Sequence, residues 1–459
     1  MFSALICLLL CIPVIIYLIR ERRKSKTVAF FHPYCNAGGG GERVLWAAIR
    51  SMQKSHPHYK YYVYSGDTEA NKEEILLKAR QRFGIELDPT NIEFIPLYYR
   101  RIVEADCYPR FTMLLQAIMG GFLACEALFR MVPEVFIDSM GYPLSLPIFR
   151  IFGGCKVGAY VHYPTISCDM LEVVQNREAT FNNSSTIAQS HILSMLKLLY
   201  YRLFSFGYFL AGKFASVVMV NGTWTQRHIT SIWSRKDVSI VYPPCDVEAF
   251  LEIESEAENL FEESKVVRIL SVGQIRPEKN HTLQIEVLHD VKKRLKEQNS
   301  KLDVKLCIAG GCRNSDDKKR VVDLKAYAKR LDVLDSLEFQ VNISYEDLIG
   351  ELSRALISIH TMHNEHFGIS VVEAMAASTI ILSNDSGGPR MDIVRDFEGK
   401  CVGYLSISRE EYTETIMRII DEGREKRDEI RKFARKSLTR FGEVAFEEGW
   451  NREVAKLLK

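Results

Sequence analysis

The chain has 459 residues, room for about two to three domains, and its 47% hydrophobic and 26% charged content is that of a folded protein. Sixty basic residues against fifty-eight acidic ones leave a formal charge of +2, too little for the broad positive field that grips nucleic acid. Eleven cysteines, scattered and never in a C-x-x-C pair, argue against a disulfide framework or a zinc site and fit a reducing compartment.

The first element is apolar. Phe2 to Ile19 carries no charge, and Arg20-Glu21-Arg22-Arg23-Lys24-Ser25-Lys26 follows. At about 1.5 Å per residue the run spans roughly 27 Å, enough for a thin bilayer, and Pro13 within it is tolerated in membrane helices. A cleaved signal peptide would carry its positive charge ahead of the apolar run. With the charge behind it, the positive-inside rule predicts an N-terminal anchor over residues 1–20 and a cytosolic body.

Beyond the anchor, short apolar runs alternate with amphipathic stretches, the pattern of parallel α/β sheets. Strands are expected at 27–31, 61–64, 92–95, 135–138, 156–161 and 217–220, then at 268–272, 304–309, 337–340, 356–359 and 380–382. Two such series predict two doubly wound, Rossmann-like domains facing a cleft, residues 27–245 and 246–440. The paired prolines of Tyr242-Pro243-Pro244-Cys245-Asp246 mark the boundary. A break at Phe441-Gly442 would let a last helix, 441–459, cross back to the first domain. The polar stretch 175–190 is expected as an exposed loop. Phe111–Phe129 and Ile192–Leu210 are more apolar than surface helices need, and two readings stay open: buried helices, or helices lying on the bilayer face beside the anchor.

Chemistry concentrates in three places. Gly38-Gly39-Gly40-Gly41 follows the first strand, where glycines let backbone approach a ligand and the next helix offers N–H groups to an anion. The dinucleotide pattern G-x-G-x-x-G is not met, since Val44 takes the sixth place. Gly207 to Lys213 imitates a P-loop by chance, with Phe214 where Ser or Thr should stand. Gly273-Gln274-Ile275-Arg276-Pro277-Glu278-Lys279-Asn280-His281 sets two cations three residues apart at a strand's carboxyl end, where open α/β sheets bind ligands. Glu365-His366-Phe367-Gly368-Ile369-Ser370-Val371-Val372-Glu373 places two carboxylates around an expected helix start. Ser370 and Glu373 also spell a capping box, the plain structural alternative.

The Glu365 to Glu373 segment, with its inner Phe-Gly-Ile-Ser, resembles the signature of retaining glycosyltransferases of family 4, which have the GT-B fold. The 273–281 segment is similar to that family's diphosphate motif, and Gly38–Gly41 to its glycine loop. Phe31-His32-Pro33-Tyr34-Cys35-Asn36 and Tyr160-Val161-His162-Tyr163-Pro164 narrow the likeness to the eukaryotic α-1,2-mannosyltransferases that extend lipid-linked oligosaccharide. The resemblance implies that Arg276 and Lys279 hold the donor diphosphate, with Gly273 and the glycine loop beside it. Glu373 would accept from ribose hydroxyls and Glu365 would sit against the transferred sugar. Gly368, Ile369 and Ser370 would offer backbone amides, and His162 would bond the donor sugar. It further implies retention by front-face attack, cationic side chains in place of a metal, and GDP-mannose as donor. The acceptor implied is a dolichyl-diphosphate-linked trimannosyl-chitobiose at the cytosolic face of the endoplasmic reticulum membrane, with other mannosyltransferases of the pathway as candidate partners. A transferase using another nucleotide sugar, or a non-catalytic GT-B-like scaffold, stays open as an alternative.

Overall fold

The computed structural model describes residues 2–178, 185–312 and 314–459, those at 2–11 and 185 by backbone alone. The chain divides into two compact units, Met1–Pro244 with Phe446–Lys459, and Cys245–Ala445.

The first unit is built on β1 (Arg23–Phe31), β2 (Lys60–Ser65), β3 (Ile92–Pro96), β4 (Val132–Asp138), β5 (Lys156–Val161), β6 (Val217–Val220) and β7 (Val238–Ile240). They form one parallel sheet in the order β3-β2-β1-β4-β5-β6-β7. Both faces are covered, as a parallel sheet requires. Along β1, Val28 and Phe30 enter one buried cluster while Ala29 and Phe31 enter the other. The second unit repeats the plan with β8 (Val266–Val272), β9 (Asp303–Gly310), β10 (Leu337–Val341), β11 (Ile357–His360), β12 (Ile380–Asn384) and β13 (Tyr404–Ser406). These are also parallel, in the order β10-β9-β8-β11-β12-β13.

Each strand expected from the sequence is present within a few residues. The edge strands β7 and β13 were not expected, because three residues are too few to carry an alternation signal. β1 starts earlier than expected. Arg23 and Lys24 pair with Val132 and Pro133 before a register shift, although their charge does not read as strand.

The helices that bear on the candidate site and the apolar surface are five in the first unit and two in the second. α1 (Phe2–Glu21) covers the expected anchor, with Pro13 inside it. Its basic flank does more than face water. Arg20 Nη2 donates to the Ile151 carbonyl at 2.7 Å, Arg22 Nη2 to that of Phe129 at 2.7 Å, and Arg23 Nη1 to that of Gly154 at 2.5 Å. Two of these carbonyls end helices, where cations are favoured. α2 (Gly40–Ser55) follows the glycine loop. α3 (Thr112–Arg130) and α4 (His191–Gly212) are the two apolar segments, and they join both open readings. α3 is long and apolar enough to cross a membrane, yet Ala117, Leu123, Ala124 and Leu128 are buried in the core. Its Gly120 and Gly121 let it seat closely, because a Cβ on Gly120 would stand 2.6 Å from the Tyr142 ring. α4 buries Tyr201, Phe204, Tyr208 and Ala211 on one side and exposes apolar side chains on the other. The P-loop imitation at 207–213 lies within and at the end of α4 and forms no loop. Of the stretch 175–190, residues 179–184 lie outside the described residues, and Ser185–Gln189 is a short helix.

In the second unit, α5 (His281–Glu297) follows the cationic segment and α6 (Ile369–Ala376) follows the carboxylate segment. The last helix, α7 (Glu443–Leu458), starts after Gly442 and belongs from Phe446 onward to the first unit. There Trp450, fully buried, stacks at 5.7 Å on Phe446, at 6.2 Å on Phe30 and tilts over Tyr160 at 5.8 Å. Removing so large a buried ring leaves a cavity beneath β1 and β5. Trp450→Ala is therefore expected to cost about 3–5 kcal/mol, read as a lowered urea midpoint. A midpoint equal to that of the parent chain would mean that α7 does not support the sheet.

Candidate functional site

The strand order of the second unit reverses between β8 and β11: the chain leaves β8 toward β9 and β10, then returns on the other side. Loops leaving the carboxyl ends of two such neighbours go opposite ways and open a crevice, the usual ligand site of open α/β sheets. Here the loop after β8 carries Gly273 to Lys279 and that after β11 carries Glu365. The two meet. Lys279 Nζ donates to Glu365 Oε2 at 2.5 Å, and His360 Nε2 lies 3.1 Å from the same oxygen. The Lys279, Glu365 and His360 side chains are 19%, 12% and 7% exposed. Glu365 Oε1 also accepts from the His366 amide at 3.1 Å. Burial alone would push the Glu365 carboxyl up, but the Lys279 ammonium and the His360 bond outweigh it and hold it well below the usual range. Because an ionised carboxylate only accepts, His360 presents a proton on Nε2, and burial keeps that ring neutral against the pull of Glu365.

Glycines shape this loop. Gly387, at φ +55°, leaves no room for a Cβ, which would stand 2.2 Å from the Glu365 carbonyl oxygen. The Gly388 amide donates to that carbonyl at 2.7 Å, and Ser386 Oγ accepts from the Asn364 amide at 2.7 Å. Across the crevice the Lys279 stem passes over Gly273, 3.5 Å from where a Cβ would be. A Cβ on Gly310 would collide with the Gly273 carbonyl at 1.7 Å. Thr361 Oγ1 ties the two loops by donating to the Lys279 carbonyl at 2.8 Å and accepting from Gln284 Nε2 at 2.9 Å.

The other residues expected in this unit are placed less tightly. Arg276 is 36% exposed and stands 3.6 Å from Glu278 Oε1. Gly368 is the N-cap of α6 at φ +110°, and its carbonyl accepts from Val371 at 2.9 Å and Val372 at 3.2 Å. Ser370 is therefore one step inside the helix and is not its N-cap, so the capping-box alternative does not hold. The left-handed glycine turns the chain where a serine cap would have done so. Ile369 and Ser370 open α6, positions whose amides have no acceptor within a helix. Glu373 lies half-buried on the helix's first turns.

The first unit gathers its own set at the carboxyl ends of β1, β4 and β5, again where the strand order reverses. His162 Nε2 donates to the Ser139 carbonyl at 3.2 Å, and a Cβ on Gly41 would stand 3.6 Å from that ring nitrogen. His32 Nδ1 lies 3.0 Å from Ser139 Oγ. Asp138 is buried and accepts from the amides of Met140 and Gly141 at 2.9 Å each, fixing the turn that carries Ser139. Burial pushes its carboxyl up to about 6. The glycine loop departs from expectation at Gly39, whose amide is already given to Glu42 Oε2 at 2.5 Å. Gly38, at φ +83°, and Gly40 lie beside it at the start of α2.

His32, Ser139, His281, His360 and Gly387 lie outside the expected set. Signals existed for some: His32 directly follows β1, and the Asp385-Ser386-Gly387-Gly388-Pro389 run follows β12 as a turn signal at a strand's carboxyl end. His360 ends an apolar strand and carries no such mark. Among the described residues no group of three or more His, Cys, Asp or Glu could hold a metal ion.

His281 is 3% exposed with neither ring nitrogen bonded to protein, and burial together with Lys279 and His360 lowers it from 6.5 to about 4. The unfolded chain thus takes up this proton near pH 6.5 while the folded chain resists it until about pH 4. Its contribution to stability is intact above that interval and drains as pH falls through it. His281→Asn should flatten the decline of stability between those two limits by up to about 1.4 kcal/mol per pH unit, read from urea midpoints. An identical slope in the variant would refute the buried neutral imidazole.

Comparison with known proteins agrees with this geometry. The model described as "ALG11 mannosyltransferase N-terminus" matches residues 25–233, and "Glycosyl transferases group 1" matches 252–437. A Caenorhabditis elegans protein named "GDP-Man:Man(3)GlcNAc(2)-PP-Dol alpha-1,2-mannosyltransferase" is 72% identical over 95% of this chain and 92% of its own length. The human protein of the same name is 48% identical over 96% of this chain and 89% of its own. Among solved structures, sucrose-phosphate synthase from Thermosynechococcus elongatus aligns with a TM-score of 0.65 at 16% identity, covering 94% of this chain and 98% of that one. A Rickettsia africae glycosyltransferase aligns at 0.60 and 14% identity, covering 94% and 98%. At such identities the likeness shows the fold alone, two parallel-sheet Rossmann-like domains of the GT-B class. Taken together, the matches along nearly the whole length place this chain in the ALG11 family of GDP-Man:Man(3)GlcNAc(2)-PP-Dol alpha-1,2-mannosyltransferases.

Proposed function

We infer that the chain transfers α-1,2-linked mannose, two residues in succession, from GDP-mannose to the trimannosyl-chitobiosyl-diphosphodolichol acceptor. What carries the reading is the ion pair of Lys279 and Glu365 at the switch point of the second unit, in a chain 72% identical to a relative of that name. Lys279 keeps further ammonium protons while bonded to Glu365, so it can hold a donor diphosphate at the same time. Arg276, exposed at the mouth of that loop, adds a guanidinium, and the two cations take up charge on the leaving nucleotide. Glu365, kept ionised, accepts from hydroxyls of the transferred sugar, and Glu373 from those of the ribose. The opening amides of α6 bind sugar or phosphate. Transfer retains the anomeric configuration, with the leaving phosphate accepting the proton of the incoming hydroxyl on the same face.

The first unit would receive the acceptor, with His162 reaching the donor sugar. α1 would anchor the chain in the endoplasmic reticulum membrane with both units in the cytosol, where GDP-mannose is. Support comes from the uncharged run Phe2–Ile19 and the basic residues behind it.

The direct test is mass spectrometry of the lipid-linked glycan after incubation with GDP-mannose. A gain of one or two hexoses, removable by α-1,2-mannosidase, is expected. Failure of any glycan to gain mass, with folded protein, would favour a scaffold. Lys279→Ala is expected to lower kcat about 10²- to 10³-fold. It also strands the Glu365 charge, so Arg276→Ala, whose removal disturbs the fold less, serves as a second variant. Parental turnover in both would end the diphosphate assignment.

A further inference from the structure

Three donors meet on the Glu365 carboxylate, and they differ in how firmly they are held. Lys279 Nζ and His360 Nε2 both reach Oε2, at 2.5 and 3.1 Å, and the His366 amide reaches Oε1 at 3.1 Å. An ionised carboxylate offers about four acceptor positions, two on each oxygen, so Oε1 keeps one open. Lys279 brings a compact charge on a flexible four-carbon stem and fixes no direction for its partner. It is also the cation that a donor diphosphate competes for. The His366 amide lies next to Glu365 on the same loop and moves with it.

His360 is held in another way. It is the last residue of β11, stands in register with Ser383 of β12, and its carbonyl accepts from the Tyr412 hydroxyl at 3.1 Å. Tyr412 is itself fully buried, on the helix Arg409–Asp421. The imidazole is a rigid ring with a fixed N–H direction, and it is buried. Sheet, ring and carboxylate thus form one connected line, and His360 is the only one of the three donors anchored in a strand.

We propose that His360 is the positioning residue of Glu365, holding Oε2 while Lys279 is shared with the donor diphosphate and so aiming the open position of Oε1 at the transferred sugar. This rests on the reading above in which Glu365 accepts from that sugar. His360 itself touches neither sugar nor phosphate, and all of its effect passes through the one carboxylate. Burial leaves the ring neutral, so it orients Glu365 without cancelling its charge.

A series at position 360 reads this bond, because the amide nitrogen of glutamine stands where Nε2 does and that of asparagine reaches only the place of Nδ1. Full-length protein in detergent is assayed for transfer from GDP-mannose, and by calorimetry for binding of GDP-mannose and of GDP alone. In His360→Asn kcat/KM should fall about tenfold to a hundredfold, the loss of one charge-assisted bond, while His360→Gln keeps most of it. His360→Phe, which fills the ring's place without an N–H, should match His360→Asn. Affinity for GDP, which lacks the sugar, should change less than about threefold in all of them, and this also shows that the unit is folded. With Glu365→Ala already present, His360→Asn should change GDP-mannose affinity less than about threefold further, since a group acting through the carboxylate then has nothing to hold. Parental kcat/KM in His360→Asn and His360→Phe, an equal loss in His360→Gln, a matching loss of GDP affinity or an additive cycle overturns the proposal. A parent chain that transfers no mannose refutes the reading of the reaction and this proposal with it; a parent that transfers while the variants equal it refutes this proposal alone.

Discussion

Both sheets reverse their strand order once, β1 against β4 and β8 against β11, and this reversal is the constraint from which the candidate site follows. Parallel strands deliver their carboxyl ends to one edge, and the right-handed crossovers before and after the reversal carry the connecting helices apart. The residues after β8 and β11 are thus left facing each other with no helix between them. Lys279 and Glu365 are 86 positions apart in the chain and 2.5 Å apart in space for this reason. The same logic brings His32, Ser139 and His162 together beyond β1, β4 and β5.

The ion pair at that edge is no great source of stability. Burying two charges costs about as much as their attraction returns. What the pair secures is an ionised carboxylate and an oriented ammonium at neutral pH, with His360 as the third member on the same oxygen. The glycines around it act sterically. Gly310, at the end of β9, and Gly387, after β12, sit where any side chain would strike the backbone of the loop after β8 and of the loop after β11 respectively, so each loop keeps its place only with hydrogen there.

The apolar helices α3 and α4 face two ways. Each buries one stripe in the core of the first unit and leaves another outside, and both stripes are hydrophobic. A helix hydrophobic all round in water would be buried on every side. These are not, and an apolar groove stays open between them.

Much of this was legible in the sequence. Strands buried on both faces read as short apolar runs, and two runs of such strands declare two parallel sheets, because local hydrophobic pattern is written residue by residue. Motifs contiguous in the chain, such as 273–281 and 365–373, were equally open to reading and placed Lys279 and Glu365 in one site. Other features depended on contacts between distant segments. His360 joins Glu365 through the end of an apolar strand, and Glu42 takes the Gly39 amide that a phosphate was expected to use. Gly368 turns α6 where the sequence also allowed Ser370 to cap it. Nor could hydropathy alone say whether α3 and α4 are core or surface, since composition records how apolar a helix is and not which side its neighbours cover. Pattern along the chain determined the elements and the segments that meet at the candidate site; only packing decided which groups share an oxygen and which apolar faces remain open.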